Sequence, residues 1–379
     1  MSRSRDNADA VTTVPSGVGR NMVINGAMNV AQRGTSLTGL SAAGAGNLLL
    51  DRFKVQSSSS AGRFTMTQTA DGPNGISANC LKLDCTTADT SIAAGEFLYL
   101  RQQFEGQNLQ RIGQGVAGAK QTTISFYVKA NAAFTFAVEL FHGDGHNRQI
   151  SKLFATTTDW VRHEILIPAD VDDGSSPIDD DNAESMAINF WLHAGATYTG
   201  GTLNSTSWAN FTQANRAAGI DSFFSSTDNN FFITGLQWEV GPVATEFEQE
   251  DFGTTLAKCK RYFQRLEWAN GSMDVALQDT VAQGVYSVSY TTKRADPTVT
   301  LPTPTVSNNQ DNGISLLASS GDYRSATGNE AVAAGQISKD STRIRFSGFA
   351  NSGAVGDATW VYYQTNGSID PYIDLDAEL

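Results

Sequence analysis

Phe231-Phe-Ile-Thr-Gly-Leu-Gln-Trp-Glu-Val-Gly-Pro-Val-Ala-Thr-Glu-Phe-Glu248 decides the fold. Ile233, Gly235, Gln237 and Glu239 alternate with Phe232, Leu236 and Trp238, and only Thr234 falls out of pattern. A period of two with aromatic and β-branched residues reads as a β-strand, and Gly241-Pro242 ends it because proline has no N–H to add to a ladder. A late strand with a sharp exit turn closes a sheet, so strand partners are expected upstream.

They are found at turn-separated intervals. Arg63–Thr69, Cys80–Cys85, Phe97–Glu105, Thr122–Ala130, Phe134–Phe141, Trp160–Pro168 and Met186–Leu192 all carry alternating or apolar strand patterns, and Asp71-Gly-Pro-Asn-Gly75 is a turn cluster. In Thr122–Ala130, Ile124, Phe126 and Val128 share one face and Ser125, Tyr127 and Lys129 the other. Ser57 to Gly62 reads as a polar turn and the glycine-rich stretch before Asp51 as a loop. Trp160, Trp191 and Trp238 lie in strands and are expected in the core.

The chain of 379 residues exceeds a usual single domain and contains 35 glycines, which favours many short strands in two β units. Its 26 basic and 39 acidic residues leave a net charge of -13, the wrong sign for displacing counterions from nucleic acid. Cys80, Cys85 and Cys259 are too few for a disulfide framework and lack zinc-site spacing, so they read as buried thiols. No apolar run is long enough to span a bilayer, and Met1-Ser-Arg-Ser-Arg lacks a following apolar segment. The expectation is neither membrane insertion nor export by a signal peptide.

Three places carry a family resemblance. The Gln237-Trp-Glu to Thr245-Glu-Phe-Glu248 ending, the opening Asn21-Met-Val-Ile-Asn-Gly-Ala-Met-Asn-Val-Ala-Gln-Arg-Gly-Thr-Ser36 and the Leu256-Ala-Lys-Cys-Lys-Arg-Tyr-Phe263 run resemble the β-sandwich domain of bacteriophage tail-fibre and virion-surface proteins, a jelly-roll module akin to carbohydrate-binding domains. Asp51-Arg-Phe also matches, as do Lys293-Arg-Ala-Asp-Pro-Thr298 and the terminal Asp-Ala-Glu-Leu379. The likeness covers roughly residues 21–265 and is specific at both ends.

Residues and resemblance together predict an all-β chain: a jelly-roll β-sandwich followed by a smaller C-terminal β domain, with one short helix between. The divisions are an N-terminal arm at 1–20, the sandwich at 21–252, a linking helix at 253–266 and the C-terminal domain at 267–379. The arm either orders on a neighbour or is a frayed terminus. In the helix, Leu256, Cys259 and Phe263 form a stripe, and Lys258, Lys260, Arg261 and Arg265 concentrate positive charge.

The resemblance implies a virion-surface fibre or spike that attaches to host surface polysaccharide. It further implies assembly as a homotrimer, contact with another virion protein through the arm, and a place on the virion surface after synthesis in the host cytoplasm. A structural head or tail decoration and a polysaccharide-degrading spike are the alternatives.

No nucleophile elbow, phosphate loop or dinucleotide fingerprint occurs, and His163-Glu164 lacks a second histidine, so no catalytic residues are assigned and no enzyme is expected. For glycan contact the candidates are Tyr198, Trp208 and Phe211, the rings of the long polar insert at 193–230; packing in the core or at a subunit interface is the other reading. No cofactor is expected beyond a structural calcium ion. Asp170, Asp172, Asp173, Asp179, Asp180 and Asp181 offer it hard oxygens, although the spacing fails the EF-hand template and a solvated acidic hairpin is the favoured reading. His142-Gly-Asp-Gly-His146 is a weaker metal candidate that a glycine-rich turn accounts for as well.

Overall fold

The computed structural model describes residues 19–144, 147–171, 177–269, 273–280, 283–301, 313–317, 326–349, 354–364 and 372–379. Of the predicted arm, only Gly19 and Arg20 are among them. The chain divides into two compact units, one reaching to Cys259 and the other Lys260–Glu378.

The first unit holds β1 (Ser36–Leu48), β2 (Lys54–Thr69), β3 (Cys80–Thr87), β4 (Phe97–Glu105), β5 (Thr122–Ala130), β6 (Thr135–His142), β7 (Arg148–Ala155), β8 (Val161–Ile167), β9 (Glu184–Ala194), β10 (Ala209–Asn210) and β11 (Asn230–Val240). They pair in the order β10-β7-β6-β9-β4-β2-β3-β11-β5-β8, with β1 on β2. Most neighbours are distant in sequence and antiparallel, as the long connections of a jelly roll require. The ribbon folds over itself. Phe126 on β5 meets Phe154 on β7 at 5.1 Å and Phe190 on β9 at 5.0 Å, and Phe136 on β6 meets Phe231 on β11 at 5.7 Å. Edge-to-face rings of this kind make the two layers one core.

Several expectations change in detail. Ser57 to Gly62 is no turn: β2 runs through it, because β1 forms from the glycine-rich stretch and supplies a backbone partner. Trp160 precedes β8 and lies half-buried on the outer face, where its Nε1 donates to the Asp71 carbonyl at 3.0 Å. Trp191 and Trp238 are buried as expected. Burial pushes the Cys80 thiol up to about 12 and the Cys85 thiol to about 11, which keeps both inert.

The alternation in β11 also shifts phase. A register irregularity against β5 falls between Thr234 and Gln237, and Gly235 there has φ +60°. A Cβ at Gly235 would lie 2.8 Å from both Ile76 and Tyr127, so glycine serves the bulge twice over. Phe231 and Ile233 therefore share the core with Leu236 and Trp238, while Gln237 and Glu239 face the other way.

That second face carries a clasp. Buried Glu239 accepts from Gln237 Nε2 at 2.7 Å, from Thr245 N at 2.8 Å and from Thr245 Oγ1 at 2.8 Å. Glu248 N donates to Gln237 Oε1 at 2.7 Å, and the Glu248 carboxylate accepts from Gly19 N at 2.5 Å and Asn21 N at 2.8 Å. Asn21 Oδ1 accepts from Trp238 N at 3.0 Å, and Gly26 packs so closely that a Cβ would lie 2.1 Å from the Leu236 carbonyl oxygen. The opening motif is tied to the next one in turn: buried Asp51 accepts from Gln32 N at 3.0 Å, and Asn25 Nδ2 donates to the Asp51 carbonyl at 3.0 Å. The residues behind the resemblance are thus scaffolding that pins the two ends of the sandwich together.

The helix is shorter than predicted. It spans Phe252–Lys260 with Thr255 and Cys259 buried, and Phe263–Glu267 is a strand, β12. Pairing with a distant strand overrides the helical stripe: β12 bonds to β20 (Tyr372–Asp376), where Arg265 makes two 2.7 Å bonds to Asp374. Of the cluster of positive charge, Lys258 is paired with Glu250 and Arg265 with Asp374.

The remaining strands of the second unit are β13 (Met273–Thr280), β14 (Gln283–Ser289), β15 (Thr298–Thr300), β16 (Gly313–Leu317), β17 (Ala326–Gly335), β18 (Ser341–Phe349) and β19 (Ala358–Gln364). They form the sheets β12-β20-β15 and β16-β19-β13-β14-β18-β17 around a core of Ala276, Val288, Ile344, Phe346, Val361, Ile373 and Leu375. This is the expected smaller β domain.

Candidate functional site

The outer face of β6, β9 and β4 gathers acidic, basic, amide and aromatic side chains. Strand alternation puts Phe136, Val138 and Leu140 into the core and leaves Ala137, Glu139 and Phe141 outside; on β9, Ile188 and Phe190 turn in and Asn189 and Trp191 out. Over this face runs the insert after β9. It is ordered by a one-turn helix at Ala196–Thr199 and the short strand β10, which joins the edge of β7.

Glu139 is the hub. It has no exposed surface, and it accepts from Trp191 Nε1 at 2.8 Å, Asn189 Nδ2 at 2.9 Å and Arg216 Nε and Nη2 at 2.8 Å each. The Arg216 guanidinium also lies 4.5 Å from the Trp191 ring centre and 5.3 Å from that of Phe211. Burial opposes the Arg216 charge, but Glu139 more than compensates and holds the group above its ordinary value. The insert is therefore clamped to the sheet by a two-pronged ion pair with a ring beneath it.

Rings continue on both sides. Trp191 meets Tyr99 at 4.8 Å and Tyr198 at 5.2 Å, Phe97 meets Tyr198 at 5.4 Å, and Phe211 meets Phe141 at 5.5 Å. Tyr198, Phe211, Phe97 and Phe141 are half-buried, each with part of its ring at the surface. Tyr99 is buried, which raises its phenol above the ordinary value, and it donates to Gln56 Oε1 at 2.6 Å. Arg101 and Gln103 on β4 both bond to Glu184.

Covered polar atoms here that have no hydrogen-bond partner among the described residues include Arg101 Nε and Asn189 Oδ1, together with Ser185 Oγ on β9 and Ser151 Oγ on the β7 position paired with Glu139. Arg101 and Asn189 are direct cross-strand partners, so an orphan donor and an orphan acceptor stand on facing positions. The orientation of Asn189 is settled by Glu139, which can only accept and so takes the amide nitrogen. Each orphan costs about 1–3 kcal/mol while unpaired, an expense usual at places built for a ligand or a water.

Of the predicted rings, Tyr198 and Phe211 converge on this face, flanking Trp191 and Arg216. Trp208 does not. It is buried against the main core with Nε1 donating to the Pro168 carbonyl at 2.9 Å, so its face is closed to a sugar.

Among the described residues the acidic candidates do not converge. Asp170 is buried and bound by Arg148 Nε at 2.7 Å, Arg148 Nη2 at 2.8 Å and Gln114 Nε2 at 3.0 Å, which leaves it committed to structure and not to an ion. Asp179 and Asp180 are exposed, Asp181 caps Ala183 N at 2.8 Å, and Asp172 and Asp173 lie outside the described residues. Among the described residues no three acids, histidines or cysteines stand close enough to hold a metal. His142 is buried and Asp144 accepts from Asp179 N at 3.2 Å, while His146 lies outside the described residues.

Glu139, Asn189, Arg216 and Arg101 escaped the sequence reading. A signal existed for two of them: Glu139 and Asn189 each interrupt an otherwise apolar strand. Their sharing of one site depends on β6 and β9 being neighbours, which the sequence does not display.

No family model and no curated protein matches the chain. Among solved structures, the chain is similar to a family 11 carbohydrate-binding module from Clostridium thermocellum in complex with a β-1,3-1,4-mixed-linked tetrasaccharide, at 13% identity and a TM-score of 0.28, over 56% of this chain and 99% of that one. It is also similar to a putative sugar binding protein from Bacteroides thetaiotaomicron, at 12% identity and a TM-score of 0.30, over 58% and 99%. A third is the enzymatically active domain of tailspike protein 4 of bacteriophage CBA120, at 11% identity and a TM-score of 0.30, over 58% of this chain and 21% of that one.

Proposed function

We propose that this chain is a virion-surface fibre or spike protein of a bacteriophage or phage-like particle, and that it attaches to host surface polysaccharide without cleaving it. The observation that carries the reading is the outer face of β4, β6 and β9. Half-exposed rings of Tyr198 and Phe211 border an orphan donor at Arg101 Nε and an orphan acceptor at Asn189 Oδ1. Carbohydrates present C–H faces that pack on rings and hydroxyls that both donate and accept, so one ligand answers both features.

The carboxylates of the face are engaged. Glu139 is held by Arg216 and Glu184 by Arg101, an arrangement that supports binding in preference to acid–base hydrolysis. Self-association is part of the proposal, supported by Met273, Val275 and Leu277, which alternate along β13 at 53%, 51% and 57% exposure.

The test is incubation of purified protein with polysaccharides from candidate host surfaces, following retention and release of reducing ends. Retention without release is expected. Release of reducing ends would support a degrading spike, and neither retention nor release a structural decoration.

A further inference from the structure

We infer that the polysaccharide taken by this face is acidic, with an anionic group, carboxylate or phosphate, seated at Lys54; this rests on the attachment reading above. Lys54 opens β2 and stands directly opposite Arg101 on β4, which stands opposite Asn189 on β9, itself opposite Glu139 on β6. One rung of the sheet therefore runs from the lysine to the clamp beneath the insert. Val55 turns into the core, and strand alternation puts Lys54 on the outer face with Gln56, which bonds the Tyr99 hydroxyl.

Lys54 is half-buried, and among the described residues it makes no ion pair and no hydrogen bond. Other half-buried cations of the first unit do: Lys82 reaches Asp84 at 2.8 Å, Lys129 reaches Asp71 at 2.7 Å, Arg162 reaches Glu164 at 2.7 Å and Lys152 donates to the Ser205 carbonyl. Lys54 and Arg101 also form a cross-strand pair of like charge, which costs stability unless an anion answers it. The nearby acids are committed: Glu184 takes Arg101 Nη2 and Gln103 Nε2, and Glu105, with no exposed surface, takes Gln107 Nε2. An incoming anion can supply what they do not. Its attraction to Lys54 at contact outweighs the repulsion of the net charge of -13, since that charge is spread over a molecule larger than the screening length of about 8 Å.

The lysine also lies within a short oligosaccharide of the rings. Trp191 is two strands across and one rung along, roughly 12 Å from Lys54 by strand spacing, and Tyr198 packs on Trp191 at 5.2 Å. A chain with one sugar on the Tyr198 ring can place the acid group of another at Lys54.

The experiment measures binding of the full-length protein to uronate-containing oligosaccharides, to the same chains with each carboxyl reduced to an alcohol, and to phosphodiester-linked chains, at about 50 mM and about 500 mM salt. An acidic set is expected to bind about tenfold more tightly than the reduced chains at low salt, and no more than about threefold more tightly at high salt. The acidic set that prevails names the anion. Lys54→Gln should abolish the preference and Lys54→Arg keep it, and Lys54→Gln should leave the melting temperature unmoved or raised, because it relieves a like-charge pair. Reduced chains bound as tightly as charged ones, or a preference that Lys54→Gln leaves intact, would overturn the inference and leave attachment standing. Binding to no set overturns both. The comparison of charged with reduced chains on the wild-type protein decides even if a variant fails to fold.

Discussion

Arg216→Met removes the cation that clamps the insert and leaves Glu139 with no exposed surface and a full charge. Two of its contacts, from Trp191 Nε1 and Asn189 Nδ2, survive, but the two 2.8 Å charge-assisted bonds do not. Stripping one partner from a buried pair costs about 3–5 kcal/mol. For a unit of this size each kcal/mol moves the midpoint by about 2–4 °C, so the expected drop is roughly 6–20 °C. Four of the six tryptophans, Trp160, Trp191, Trp208 and Trp238, lie in the first unit, and their fluorescence reports its unfolding. Adding Glu139→Gln removes the stranded charge, and the double variant should recover on the order of 2–3 kcal/mol relative to the sum of the singles. Costs below about 1 kcal/mol that simply add, as exposed ion pairs give, would refute the claim that the insert is held by a desolvated clamp.

Other outcomes follow from the same geometry. Thr245→Val deletes the hydroxyl that bonds Glu239 at 2.8 Å, and should lower stability by about 1–3 kcal/mol in urea titrations; an unchanged midpoint would show that the clasp is dispensable. Gly26→Ala should cost on the order of 3 kcal/mol, since its Cβ would stand 2.1 Å from the Leu236 carbonyl oxygen, whereas Gly95→Ala, with nothing within 4 Å, should be silent in the same thermal scan. Burial holds the His193 imidazole below its ordinary value, against the pull of Glu96 at 3.4 Å and of Asp89, with Ser222 Oγ at 2.7 Å and the Phe224 ring packed on it. The unfolded chain takes a proton below about pH 6.5 that the folded chain resists, so stability is complete above that pH and declines as pH falls through the lower folded value. His193→Gln should flatten this slope, and an undiminished slope would assign it elsewhere. Asp89, depressed chiefly by the Ser60 hydroxyl, adds a separate loss below the usual carboxylate range. Replacing Met273, Val275 and Leu277 by threonine should shift sedimentation toward a smaller species, and an unmoved profile would remove β13 from the self-association surface.

What the sequence by itself determined was local. Period-two alternation in Thr122–Ala130, the short apolar run Met186–Leu192, punctuation by Gly241-Pro242 and the lack of long helical stripes were enough for an all-β chain, because each is set by neighbouring residues. Even there the bulge at Gly235 escaped notice: one inserted residue reverses which side chains face inward, and only the partner strand reveals it. The helix at 253–266 failed at its second half for a related reason, since Phe263–Glu267 answers to β20, about a hundred residues away. Tertiary structure alone decided the candidate site. Glu139, Asn189 and Arg216 come from two strands and an insert whose meeting depends on strand order, and burial then turns an ordinary acid, amide and base into a clamp with the Asn189 Oδ1 acceptor left over.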